Sequence, residues 1–492
     1  MCFELKKSGR WLGALAAVAF LGGCTVGEDY KEPQIETPDA WHNAIMQEAP
    51  DEPSAPIQAW WEIFNDPVLN ELIEQARESN LTAEAALVSV REARARLAFT
   101  GAQNLPEVGA RARASSTKLS DNGALSQVAP PGGFKSQGMM VFGLDAAWEI
   151  DVFGRIRREV EAESARYEAS VESYRDVLVS LYAEVALAYI EIRSSQAHIA
   201  KATQNIDAQT KSLDLTEERF RDGLTSALDI EQAKSNLYAT QAAIPMFRIR
   251  MNQAYNRLTV LCGKDIDELQ TMIGDTGVMP QPAMNLSVGV PADLLRQRPD
   301  VRRAEREIAA ATAMIGAATA ELYPRFALKG SIGLESRSAS SLFDSSSVVW
   351  TAAAPIHWNI FTAGRTLDNI EIKKEETEKA ILNYRNTVLE AMEEVENALV
   401  SINEYRTRFS LLNNATSATD MAVELVTTQY ENGLTDFNNV LDMQRALYEQ
   451  QTRLVSSQTD SMNSIVALYK ALGGGWLSVT ETDIIEDAVN VQ

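Results

Sequence analysis

At 492 residues the chain is long enough for two or three ordinary domains, and its 45% apolar residues permit a sizeable buried core. A formal charge of -23 excludes nucleic acid as a natural partner. The charge suits a solvated acidic surface, or a weak preference for cationic cargo.

Residues 1–23 read as an export signal. Lys6, Lys7 and Arg10 make a basic run and Trp11 to Leu21 an apolar one. The run ends in Leu21-Gly22-Gly23-Cys24, which matches a lipobox, so Cys24 is the expected lipidation site. Thr25, in place of aspartate, fits sorting to the outer membrane. Cys2 leaves with the signal, so Cys262 remains without an intramolecular partner and is expected to be a small buried residue. His42, His198 and His357 are scattered and share no ligand spacing. No later apolar run reaches the 18 or so residues that span a bilayer as a helix. The mature chain is therefore peripheral, or crosses the membrane as strands.

Residues 24–66 hold five prolines and suit a lipidated, extended N-terminal arm. Residues 67–262 form a first structural unit: helix from Pro67 to Asn104, two strands, a long helix, a turn at Gly223 and a second helix. Residues 263–298 are a Gly- and Pro-containing connector. Residues 299–475 repeat the first unit, with turn Gly433 and a terminal Gly473-Gly474-Gly475. Residues 476–492 are an acidic tail. The repeat is explicit. Trp148-Glu149-Ile150-Asp151-Val152-Phe153-Gly154-Arg155 returns 210 residues later as Trp358-Asn359-Ile360-Phe361-Thr362-Ala363-Gly364-Arg365, and Asp222-Gly223-Leu224-Thr225 as Asn432-Gly433-Leu434-Thr435. The expectation is that this offset never slips.

The strands alternate. Phe142, Leu144, Ala146, Trp148 and Ile150 face Gly143, Asp145, Ala147 and Glu149 across the backbone. Phe326, Leu328, Ile332 and Leu334 alternate with Arg325, Lys329, Ser331 and Glu335, and residues 348–360 continue the pattern. Residues 108–115 alternate more weakly, with Arg111 and Arg113 on the polar face. Strands of about ten residues cross an outer membrane when tilted, and Trp148, Trp350 and Trp358 suit an aromatic girdle. Four strands cannot close a barrel, and an open edge is not viable in lipid. Several chains must therefore contribute. A soluble sheet is the competing reading.

Residues 154–223 and 364–433 contain no proline. Their apolar positions (Val171, Tyr174, Leu178, Leu181, Val185; Ile381, Tyr384, Val388, Ala391, Val395) alternate steps of three and four. Such helices extend roughly 100 Å. The expected fold is mainly α with a β membrane part: an antiparallel coiled-coil α-barrel continuous with a transmembrane β-barrel. A simple coiled-coil filament competes, but the attached strands argue against it.

These segments, with Leu294-Leu295-Arg296-Gln297-Arg298-Pro299-Asp300-Val301-Arg302 and Leu468-Tyr469-Lys470-Ala471-Leu472-Gly473-Gly474-Gly475-Trp476, resemble the TolC-like outer membrane factors, within them the lipoprotein branch that includes OprM. The resemblance implies a homotrimer in outer membrane lipid, twelve strands and twelve helices, a periplasmic adaptor (membrane fusion protein) and an inner-membrane RND transporter. It implies a periplasmic gate at Leu434, Asn438 and Asp442, with Asp442 forming an acidic ring, and a latch of neighbouring hairpins through Asp229 and Tyr430. The turns Gly223, Leu224, Thr225 and Gly433, Leu434, Thr435 become adaptor-docking points. Glu431 and Asn438 depart from the family pattern. Arg298-Pro299-Asp300 reads as a helix start without contact to cargo. No nucleophile with a base, phosphate loop or metal cluster occurs, so neither an enzyme nor a cofactor is expected beyond the lipid on Cys24. A passive exit duct for small molecules leads. Type I protein secretion and copper or silver export, the latter suggested by Met139-Met140, are the alternatives.

Overall fold

The structure, a computed structural model, describes residues 25–34, 38, 40–43, 57–124, 126–128, 130–275, 277–280, 282 and 295–476. The signal, Cys24, Leu294 and residues 477–492 lie outside the described residues. In chain order come helices α1 (Pro67–Ser79) and α2 (Leu81–Ala102), strands β1 (Glu107–Thr117) and β2 (Gln137–Ile150), then α3 (Arg155–Arg221), α4 (Ala227–Cys262) and α5 (Ile266–Ile273). The second half supplies α6 (Pro299–Ala320), β3 (Arg325–Ser336), β4 (Val348–Ala353), β5 (Ile356–His357), α7 (Arg365–Glu431) and α8 (Phe437–Ala471). The long helices α3 and α7 are 67 residues each, without interruption.

The repeat holds, but its offset slips. Glu107 opens β1 and Arg325 opens β3, 218 residues on, whereas Trp148 and Trp358 are 210 apart. The loop between the paired strands absorbs the change: residues 118–136 in the first half, residues 337–347 in the second. The segments that revealed the repeat all follow that loop, so they could not register it.

Two further boundaries differ from the sequence reading. The helix expected from Pro67 to Asn104 breaks at Asn80, whose Oδ1 accepts from Thr82 N and Ala83 N at 3.0 Å each. Its Nδ2 donates to Leu261 O at 2.9 Å. Asparagine competes for backbone groups and so starts a new helix here. The arm is not extended throughout, because Ile57–Phe64 winds into a 3₁₀ helix. It carries Trp60, fully buried and stacked on Tyr469 at 5.7 Å.

Compactness divides the chain into two bodies that cut across the repeats. The first takes the arm up to Pro33, Arg91–Ala169 and Ala304–Asn383. Its centre is one antiparallel sheet of order β1-β2-β3-β4, with β5 also pairing β3. Each half of the chain contributes a strand pair, because a lone hairpin is marginal in water. The register puts Val108, Ala110 and Ala112 beside Ala146, Leu144 and Phe142, and these beside Gly330, Ile332 and Leu334. One face is thus apolar across the sheet. The other carries Arg111, Asp145, Lys329 and Glu335, with Arg111 3.4 Å from Asp145. The strand expected over residues 348–360 is broken at Ala354-Pro355, since proline has no N–H for the ladder. In this body the arm crosses the start of α3. Arg158 donates to Val26 O (3.2 Å), Gly27 O (3.1 Å) and Asp29 Oδ1 (2.8 Å). Thr25 lies against Gly154, where any β-carbon would fall 2.7 Å from its methyl.

The second body takes Gln34–Val90, Ser170–Arg303 and the chain from Tyr384. Val171, Leu178, Val185 and Ile192 are buried as the heptads require, but so are Val179, Tyr182, Ala186, Tyr189 and Ile190. Neighbours enclose α3 on nearly every side: Trp61 against Tyr182 at 5.1 Å, Asp66 accepting from Tyr189, and Gln196 donating to Gly274 O. On α7 the predicted positions Tyr384, Val388, Ala391 and Val395 are buried and Ile381 is half-buried, while Leu399 and Tyr430 are buried outside that stripe. Leu382, Leu389, Val400, Leu411, Met421 and Leu425 stay exposed, mostly over one face at helical spacing. Trp476, assigned to the tail on sequence, is buried under Arg175 (4.5 Å) and Arg302 (5.5 Å). Cys262 is fully buried, and burial pushes its thiol up to about 11. Its role is packing. Among the described residues no helix is long and apolar enough to cross a membrane.

Candidate functional site

The two helical turns are near copies. Gly223 and Gly433 both have φ +71, the left-handed conformation that a side chain disfavours. Leu224 N reaches back to Arg219 O and Leu434 N to Gln429 O, each at 2.8 Å. These bonds satisfy carbonyls at the helix end and throw both leucines into solvent, 65% and 77% exposed. Thr225 and Thr435 occupy the next position in each turn. Thr225 donates to Asp229 Oδ2, while Thr435 Oγ1 accepts from Asn439 Nδ2 at 2.8 Å.

The first turns of α8 sort their residues by face. Phe437, Val440 and Leu441 are buried in a cluster with Ala233 and Tyr430. Asn438 and Asp442, spaced by four, stay exposed on one face of α8, and Leu434 is exposed in the turn before it. All three expected gate residues are exposed, two of them on one helix face. Arg445, not foreseen from sequence, lies 3.9 Å from Asp442 and donates through Nε to Asn236 Oδ1 at 3.2 Å.

Asp229 and Tyr430 make no contact with each other among the hydrogen bonds of one chain. Asp229 accepts from the Thr225 hydroxyl and from Ser226 N at 3.2 Å. Partial burial works against its charge, but these bonds hold its carboxyl below the usual carboxylate range. Tyr430 is 4% exposed and packs on Phe437 at 5.2 Å, and its hydroxyl has no partner within the chain. Within one chain Arg219 makes the link between the two hairpins. Its guanidinium sits 4.7 Å over the Tyr430 ring and donates to Tyr430 O (2.9 Å) and Glu431 O (3.1 Å). A cation from the first hairpin thereby caps the C-terminus of α7. The signal was faint. At the repeat offset Arg219 faces Gln429, a charge against a neutral group, one residue from Tyr430.

Farther from the turns, α3 and α8 meet through polar pairs. Asn205 Nδ2 donates to Gln451 Oε1 at 2.6 Å, Gln444 Nε2 to Ser212 Oγ at 2.7 Å, and Thr459 Oγ1 to Ser194 Oγ at 2.8 Å.

In the sheet, the girdle candidates divide. Trp148 Nε1 donates to Asn104 O, and Trp358 Nε1 to Leu322 O, each at 2.9 Å. Both acceptors lie two residues past the preceding helix, so each indole pins a helix-to-strand turn. Trp350 stands near mid-height, opposite Ile332, and is 72% exposed. Among the described residues no cluster of three or more His, Cys, Asp or Glu could hold a metal.

The family model described as outer membrane efflux protein matches residues 72–264 and 290–474. The chain is 31% identical to the solvent efflux pump outer membrane protein SrpC of Pseudomonas putida, over 94% of this chain and 97% of that one. It is 29% identical to the cation efflux system protein CusC of Escherichia coli, over 93% and 96%. The solved outer-membrane channel OprN superposes with a TM-score of 0.85 at 32% identity, covering 92% of this chain and all of that one.

Proposed function

This chain belongs to the outer membrane efflux protein family, and from that premise we propose that three copies close one passive trans-periplasmic exit duct. The chain is an outer membrane efflux channel subunit with the helical-barrel fold of that family. One observation carries the trimer: the sheet is open. Its edge strands β1 and β4 present unpaired backbone groups beside an apolar face on which Phe142, Ile332 and Trp350 are more than half exposed. In lipid such edges must be paired, and only further copies of the sheet supply matching strands. The exposed stripe on α7 supports the same association in the helical part.

In this reading the polar face lines water, and the exposed residues Leu434, Asn438 and Asp442 narrow the periplasmic mouth. The turns at Gly223-Leu224-Thr225 and Gly433-Leu434-Thr435 receive a periplasmic adaptor, which couples the duct to an inner-membrane RND transporter. Arg219 links the two hairpins within each chain, and Asp229 and Tyr430 latch neighbouring hairpins. A lipid on Cys24 anchors the arm, whose neighbour Thr25 is held against the β2–α3 junction.

The cargo is small drug-like or solvent-like molecules. Identity does not decide this, because SrpC at 31% and CusC at 29% differ too little. Geometry disfavours soft-metal export. Met139 and Met140 are successive residues of β2 and point to opposite faces, so they cannot share an ion. The test is a susceptibility profile of a deletion strain with and without the plasmid-borne gene. Restored resistance to drugs or solvents, with metal tolerance and protein secretion unchanged, is expected. Restoration of metal tolerance or of secretion alone would overturn the cargo assignment.

A further inference from the structure

The first turns of α8 carry a charge that the gate reading leaves unused. Asp442 and Arg445 are three residues apart, a spacing that puts both side chains on one helix face. Their charged atoms are 3.9 Å apart, and both groups are more than half exposed. Arg445 is also held in place. Its Nε donates to Oδ1 of Asn236 at 3.2 Å, and Asn236, on α4, is 5% exposed. A buried acceptor on the neighbouring hairpin therefore keeps the guanidinium at the level of the carboxylate.

We propose that Arg445 is a selectivity-determining residue of the duct, a fixed counter-charge to Asp442 at the periplasmic mouth. The inference rests on the reading that Asp442 lines that mouth. Three copies of Asp442 alone would concentrate cations and repel anions. A unit charge held about 4 Å from an ion in water changes its local concentration about fivefold, and salt screening reduces this to about threefold. With Arg445 beside each carboxylate the two fields oppose one another, and the mouth admits ions of either sign. The ion pair itself adds little to stability, since both partners are solvated. Its consequence is electrostatic. The chain's acidic balance of -23 does not then translate into a strongly cation-selective entrance.

Reversal potentials of the purified full-length protein in planar bilayers under a KCl gradient test this. Arg445→Gln should raise the cation-to-anion permeability ratio by up to about ninefold, about threefold from each ion. Arg445→Lys, which keeps the charge, should leave it unchanged, and Asp442→Asn should lower it. Arg445→Met replaces the Gln variant if that one does not assemble. A shift with Asp442→Asn but none with Arg445→Gln overturns the role of Arg445. No shift with either shows that Asp442 does not line the conducting path, and the proposal falls with that reading.

Discussion

Replacing Arg298 by alanine should loosen the middle of the helical body without touching its turns. The Arg298 side chain is 8% exposed and binds three groups from three places in the chain. Nε and Nη2 grip Asp300 at 3.0 and 2.7 Å, and Nη1 donates to Glu394 Oε2 at 2.8 Å and to Ala471 O at 2.5 Å. It thus ties the start of α6 to α7 and to the end of α8. Gly473 is packed so closely that a β-carbon there would lie 3.2 Å from Arg298 Cα. Breaking a buried pair by removing one partner costs about 3–5 kcal/mol. Glu394 is half in water and regains hydration, so the lower end, about 3 kcal/mol, applies. If local opening carries that loss, amides at the start of α6 and the end of α8 should exchange about 100-fold faster. Hydrogen–deuterium exchange with mass spectrometry reads this peptide by peptide. Arg298→Lys keeps a charge but not the two-pronged grip, and should fall between. Unchanged exchange at both helix ends in Arg298→Ala would refute the tie. Equal acceleration at the turns would show global loosening instead.

Removing the arginine that caps α7, by Arg219→Ala, should raise single-channel conductance or open probability at the mouth while the trimer persists. An unchanged record would dismiss its linking role. Burial, helped by nearby Arg250, pushes His198 down to about 4, and its ring stacks on Phe247 at 4.4 Å. The unfolded chain binds that proton near 6.5, so stability is lost as pH falls from about 6.5 to 4, by about 3 kcal/mol per chain. Melting curves over that range should show less acid loss in His198→Gln than in the parent protein. Equal loss would mean the imidazole is already charged when folded. Gly223→Val and Gly433→Val force a side chain into φ +71 at open sites, at a cost of about 1–3 kcal/mol each. Resistance should fail in both while trimers remain, and retained resistance would count against docking at the turns.

The long helices were legible because a heptad stripe needs no knowledge of the partner. Val171 to Ile192 are buried where the spacing put them. The strand faces were legible for the same reason, since alternation fixes which residues share a side. What escaped depended on contacts distant in sequence. Burial around the rest of α3 comes from Trp61, Asp66 and Gly274, which no helical period announces. Arg219 resembled an ordinary basic residue in a last turn, and its target carbonyls lie 211 and 212 residues away. Pro355 did offer a local signal for the break between β4 and β5, but the surrounding alternation masked it. The glycines after α8 were read as a helix stop. The structure adds close approach as a second reason, with Gly475 under the ring of Tyr182.

The central claim is that one chain's open sheet is completed by other copies. Native mass spectrometry of the full-length protein released from detergent micelles measures this directly. The account predicts a particle of three chains, each about 54 kDa before signal removal and lipidation. A stable particle of one or two chains that still conducts ions in a bilayer would contradict it.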